Sequence, residues 1–191
     1  FGGMGGGMGA RPGAQGRPRG GMAQRGQDVE QPVDITLEEA FHGTARMLQM
    51  GDRRLEVKIP AGVKTGSRVR IAGEGGAGAG RSGDLFLRIN VLPHAAFERA
   101  GDNLVTEVDV PLYTAVLGGE VSVPTLTGRI MLRIPPETQS GRTFRLSGQG
   151  MPRLQHSEQR GDLLVKVRVK LPDKLNSREK ELFQELAKLR S

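Results

Sequence analysis

Lys58-Ile-Pro-Ala-Gly-Val-Lys-Thr-Gly-Ser-Arg-Val-Arg-Ile-Ala-Gly-Glu-Gly75 returns seventy-five residues later as Arg133-Ile-Pro-Pro-Glu-Thr-Gln-Ser-Gly-Arg-Thr-Phe-Arg-Leu-Ser-Gly-Gln-Gly150. Working outward, Asp34-Ile-Thr-Leu-Glu-Glu-Ala-Phe-His-Gly43 returns at the same offset as Asp109-Val-Pro-Leu-Tyr-Thr-Ala-Val-Leu-Gly118. Downstream, Gly83-Asp-Leu-Phe-Leu-Arg-Ile-Asn-Val91 matches Gly161-Asp-Leu-Leu-Val-Lys-Val-Arg-Val169 at an offset three residues longer. The second copy therefore carries a short insertion around Pro152–Arg160. A repeat of this length is a duplicated domain, not a solenoid of short units. Two related domains imply a scaffold with two related surfaces.

The 191 residues suffice for two small domains. Aromatics make up only 4%, with no Trp and one Tyr, so the cores must be built mainly from Val, Ile and Leu. With no Cys, disulfides and thiolate metal sites are excluded, which favours an intracellular, cytoplasmic setting. The histidines His42, His94 and His156 are far apart and lack metal-ligand spacing. No cofactor is therefore expected. No apolar run approaches bilayer-spanning length, and no signal peptide is visible, so no membrane association is expected. The chain starts at Phe1 and reads as a fragment of a longer protein. Of the net charge of +7, Arg11, Arg17, Arg19 and Arg25 supply +4, because residues 1–26 contain no acid.

Residues 1–27 are rich in Gly, Met and Arg without periodicity, and read as disordered linker. From Val29 the alternation Val29, Gln31, Val33, Ile35 is that of a half-buried strand. Thr36-Leu-Glu-Glu39 is a capping box and Gly43 a stop, which predicts a short helix at 36–42. In the second copy Pro111 takes the early-helix position. Strand pairs follow at 45–50 with 54–59 and at 120–124 with 129–134. Further strands are expected at 69–71, 85–91, 104–110, 144–146 and 163–171. The fold class is all-β: two tandem small β-sandwich domains, 28–103 and 104–173, plus a C-terminal helix within 174–191. Asn176 and Glu179 form a capping box for that helix. Leu182, Leu186 and Leu189, with Phe183 beside them, make one apolar face. Either this face docks on its own domain or it meets a partner helix in a dimer.

Gly73-Glu-Gly-Gly-Ala-Gly-Ala-Gly80 lacks the Gly-Lys-Ser/Thr ending of a phosphate loop and reads as a hairpin loop. Gly73 and Gly75 recur as Gly148 and Gly150, which predicts left-handed turns. Asp84 and Asp162 follow Gly at equivalent positions and are expected to cap turns. No Ser, His and Asp arrangement suggests a nucleophile, and the chain is not expected to be an enzyme. The remaining signal is apolar. Leu48 and Met50 share one strand face, with Val33 on a neighbouring strand. Such a face suits an extended peptide that adds to a sheet edge and inserts a side chain. In the second copy Val123-Pro-Thr125 replaces Leu48-Gln-Met50, and Pro124 is expected to interrupt the strand, so the first copy is the binding domain.

Taken together, the 59–75 stretch, Gly83-Asp-Leu, Pro93-His94, Phe97-Glu-Arg-Ala-Gly-Asp-Asn-Leu104 and Gly148-Gln-Gly-Met-Pro152 resemble the C-terminal substrate-binding region of DnaJ-type J-domain co-chaperones. With no Cys-rich zinc module in the first repeat, the chain is similar to the zinc-free, CbpA-like subclass. The resemblance implies a groove for unfolded client polypeptides at Val33, Leu48, Met50 and Phe97. It implies that Arg46 and Arg53 hold the acidic C-terminal tail of a DnaK-type chaperone. It also implies a homodimer joined through Leu182, Phe183, Leu186 and Leu189. Lacking a J domain, the chain is not expected to stimulate ATP hydrolysis by that partner. Because CbpA-like relatives are associated with DNA, weak DNA binding by the Arg-Gly tail is the alternative. A carbohydrate-binding sandwich would need an aromatic platform that the sequence lacks.

Overall fold

In a computed structural model, residues 25–190 apart from Asp52 are described. The linker expected at 1–27 lies almost wholly outside them. The first repeat runs β1 (Val29–Ile35), α1 (Leu37–His42), β2 (Thr44–Met50), β3 (Arg53–Ile59), β4 (Arg68–Ile71) and β5 (Leu85–Val91). A short β6 (Glu98–Ala100) leads into the second repeat. There follow β7 (Asn103–Pro111), α2 (Leu112–Leu117), β8 (Gly119–Thr125), β9 (Gly128–Ile134), β10 (Thr143–Leu146), β11 (Pro152–Arg153), β12 (His156–Arg160) and β13 (Leu163–Lys170). The chain is all-β apart from these two short helices and the terminal α3 (Ser177–Lys188).

Duplication extends to register. β1 runs parallel to β5 with Val29 opposite Leu85, and β7 runs parallel to β13 with Leu104 opposite Leu163. Both offsets, 75 and 78, are those of the sequence repeat. The first sheet has the order β1-β5-β4 and the second β10-β13-β7-β6, so β6 pairs with the second repeat. Hairpins β2-β3 and β8-β9 stand apart from these sheets. Alternation places Ile35, Leu85, Leu87 and Ile89 on the buried face of the first sheet, together with Val57 and Ile59 of the hairpin. Leu104, Val108, Val110, Leu163, Val165 and Val167 do the same for the second.

α1 begins where Thr36 accepts from the Glu39 N–H and the Glu39 carboxylate accepts from the Thr36 N–H, both predicted bonds of the capping box. Pro111 is the N-cap of α2, one position before the predicted helical site. Gly73 and Gly148 have φ of 76° and 70°, as the turn reading requires. Gly75 and Gly150 differ from that expectation. They are not left-handed; a Cβ on either would lie 2.6 Å from the backbone of the loop entering β5 or β13. β8 also corrects the sequence reading, since it continues through Pro124 to Thr125. As an edge strand bonded only to β9, it has one side where a missing N–H costs no ladder bond.

Asp84 and Asp162 are turn-holding residues. Each accepts from the N–H of the left-handed glycine, Gly73 or Gly148, at 3.0 Å. Each also pairs with an arginine, Arg70 to Asp84 and Arg145 to Asp162. The glycine N–H first and the arginine next hold both carboxyls below the usual aspartate range. A carboxylate whose pKa is lowered by folding stabilises the fold fully above its unfolded pKa. That contribution disappears as pH falls toward the folded value. Thermal midpoints are thus expected to hold steady near neutrality and to fall as pH drops through and below the ordinary aspartate range, about 4. Asp84→Asn/Asp162→Asn should melt lower at neutral pH with a shallower acid limb. An unchanged acid limb in calorimetry would exclude these two groups as its source.

Candidate functional site

The β2-β3 hairpin differs in burial from its counterpart β8-β9 along the first strand. Its antiparallel register sets Arg46 opposite Val57, Leu48 opposite Leu55 and Met50 opposite Arg53. Thr44, Arg46, Leu48 and Met50 therefore share one face with Leu55, Val57 and Ile59. Burial on this face falls from root to tip. Ile59 and Val57 are buried, whereas Leu55, Leu48 and Met50 are half-buried and only partly covered by the core. At the equivalent places in the β8-β9 hairpin, Val123 and Thr125 are buried. The first repeat leaves apolar surface open where the second closes it.

Main-chain edges accompany that surface. β1 ends its sheet and β2 ends its hairpin, so each has an edge with no strand partner among the described residues. Such edges are templates for a further strand.

The residues singled out from the sequence occupy three environments. Leu48 and Met50 lie together on the open hairpin face. Val33 is 8% exposed and belongs to the core; Val29, four residues earlier on the same face of β1, is half-buried. Phe97 is also buried and lines a separate cavity of about 450 Å³ with Leu37, Val91, Leu92 and His94. Its ring lies 5.1 Å from that of His94, whose Nδ1 accepts from the Phe97 N–H. His94 Nε2 in turn meets Glu38 at 2.9 Å. Glu38 is held below the usual carboxylate range, chiefly by its own backbone N–H. Val29 and Leu55 are the surface residues that sequence reasoning missed. Their signal was the same two-residue alternation that marked Val33 and Leu48.

Of the two arginines, Arg46 is already engaged. Its guanidinium meets Glu39 at 2.7 Å, and Glu39 simultaneously caps α1. Arg46 Nε is buried without a hydrogen-bond partner, which leaves one donor unused on this side chain. Arg53, at the hairpin tip, is 80% exposed and only loosely paired with Glu74 at 3.8 Å. A carboxylate arriving at the tip would meet Arg53 with little competition.

At the far end of the chain, α3 starts at Asn176 with the predicted capping box. It buries none of its own residues. Phe183 lies 6.4 Å from Tyr113 of α2, and the two helices frame an apolar cavity of about 320 Å³ with Leu182, Leu186 and Leu189. Leu182, Leu186 and Leu189 are 43–80% exposed. The helix thus touches its own domain through Phe183 and leaves its leucines uncovered.

Among the described residues, no three His, Cys, Asp or Glu side chains are placed to hold a metal ion. No helix there is long and apolar enough to cross a membrane.

The chain thus combines duplicated β repeats, a hairpin with an open apolar face and a terminal amphipathic helix. Residues 29–172 match the family model of the DnaJ C terminal domain, and the chain belongs to that family. It is 42% identical over 165 residues to chaperone protein DnaJ 2 of Thermus thermophilus and 41% identical over 209 residues to chaperone protein DnaJ of Deinococcus proteolyticus. These matches cover 86% and 99% of the chain, and 58% and 66% of the relatives. Chaperone protein DnaJ of Burkholderia mallei is 49% identical over 138 residues, covering 71% of the chain and 36% of that protein. The chain therefore spans less than two thirds of each of these relatives.

Proposed function

We propose that this chain is the client-holding part of a co-chaperone. An extended, unfolded segment adds to an open strand edge of the first repeat and lays an apolar side chain against Leu48 and Met50. The observation that carries the reading is the half-open inner face of β2-β3, set against its buried counterpart at Val123 and Thr125. Main-chain bonds supply affinity without sequence demands, and the apolar tip supplies a preference for hydrophobic side chains. Met50 suits such a site, because its flexible thioether fits varied partners. Delivery to a DnaK-type chaperone belongs to the same proposal, with Arg53 and the Arg46 guanidinium as groups for an acidic tail. α3 then joins two copies.

Fluorescence anisotropy of a labelled extended apolar peptide tests this directly. Saturable binding that a permanently unfolded protein displaces is the expected result. Absence of binding, or displacement by duplex DNA instead of unfolded protein, would overturn it.

A further inference from the structure

The insertion that distinguishes the second repeat reaches back to the first. Between Gly150 and Gly161 the chain is three residues longer than between Gly75 and Gly83, and it folds as the β11-β12 hairpin. Met151 anchors its base: the side chain is fully buried, and its N–H donates to the Asp102 carbonyl at 2.8 Å. From there Pro152–Leu154 presses on Gly62, in the turn after β3. A Cβ on Gly62 would lie 2.6 Å from the Pro152 carbonyl oxygen and 2.7 Å from the Leu154 nitrogen. The Arg160 guanidinium sits 4.8 Å from the centre of the Phe41 ring in α1.

Neighbouring bonds fix the same seat. Arg99 of β6 donates to the carbonyls of Val63 at 2.6 Å and Gly62 at 3.1 Å. Asp102 meets Lys64 of the first repeat at 2.9 Å and Arg153 of the insertion at 3.7 Å. The Gly62 N–H donates to the Ala40 carbonyl, so the seat on α1 and the seat after β3 are one body.

The second repeat supplies an internal control. Glu137 stands where Gly62 stands in the first copy, and it too has a positive φ, 58° against 88°. A left-handed backbone there does not by itself require glycine; the docked hairpin does. Val116, the counterpart of Phe41, is 50% exposed, with no insertion lying over it.

We infer that residues 151–161 are an interdomain clasp that fixes the orientation of the two repeats through Gly62 and Phe41. Relative motion is the default for two domains joined by a modest interface. The clasp removes it, and it does so at the two chain ends from which β2-β3 grows. Phe41 lies three residues before β2 and Gly62 three residues after β3. The hairpin is thereby aimed relative to the second repeat. This inference is independent of what the hairpin binds.

With no native cysteine, spin labels can be placed at Met47→Cys and Met131→Cys, both exposed and in different repeats. Electron–electron distances, measured in samples diluted with unlabelled chain, should form one narrow distribution. Gly62→Glu, which installs the second copy's own residue, should at least double its width. Arg153→Ala/Arg160→Ala removes only exposed side chains and should broaden it less; that variant alone decides if Gly62→Glu fails to fold. A wild-type width in the folded variants, judged by circular dichroism, would overturn the clasp.

Discussion

Leu48→Asp/Met50→Asp is expected to weaken binding of an extended apolar peptide by about tenfold to about a hundredfold, while the chain stays folded. Covering a large apolar side chain contributes about 1.5–3 kcal/mol when complete. Half-buried Leu48 and Met50 retain part of that for a client. Each 1.4 kcal/mol is roughly a tenfold change in Kd. An introduced carboxylate adds a desolvation cost whenever a client covers it. The fold loses less, because at half-exposed positions the charges keep water. Cross-strand pairing of Leu48 with Leu55 contributes only about 0.2–1 kcal/mol, so a fall of a few degrees in Tm is expected.

A control on the opposite face separates a specific surface from a general effect of charge. Met47 lies between Leu48 and Arg46 in sequence but points outward, 62% exposed. Met47→Asp should therefore leave peptide affinity unchanged. Equal weakening by Met47→Asp, or full affinity in the Leu48→Asp/Met50→Asp chain, would remove the hairpin face from the mechanism. Substitution at Val123 in the second repeat is no substitute control. That residue is fully buried, and a charge there would unfold the β8-β9 hairpin.

Why the hairpin and its register were legible follows from their local encoding. Two copies of one pattern, with period two in Leu55, Val57 and Ile59 and again in Ile130, Leu132 and Ile134, fix strand and face together. Capping boxes at Thr36 and Asn176 are equally local, and both form as their spacing demands. Depth was not legible. Val29 and Val33 share a face, and only the layer above decides that Val33 is core while Val29 stays half-open. The clasp was visible as an insertion but not as a structure. Its β12 strand, His156–Arg160, is exposed along its whole length and carries no apolar alternation. Its reason for existing is Phe41, some 120 residues earlier. Pro124 misled for a related cause: whether proline breaks a strand depends on which edge faces a neighbour.

Charge on the terminal helix should have the second large effect. Leu182→Asp/Leu186→Asp is expected to convert a dimer into a monomer, read by sedimentation equilibrium at micromolar concentration. Twelve residues are marginal for an isolated helix in water, and α3 buries none of its side chains against its own domain. Beside it α2 exposes Tyr113, which lines one apolar cavity with the uncovered leucines. A second copy of the same surface would cover both, with the Tyr113–Phe183 pair at its centre. Functionally, the monomer should bind a single free peptide with unchanged Kd. On a surface dense in immobilised unfolded protein, its apparent affinity should drop by about a hundredfold or more, because the second linked site is gone. This pairing of outcomes matters, since a helix that merely stabilised its own domain would weaken both measurements together. A wild-type chain that sediments as a monomer, or a variant that still sediments as a dimer, would exclude α3 as the joint.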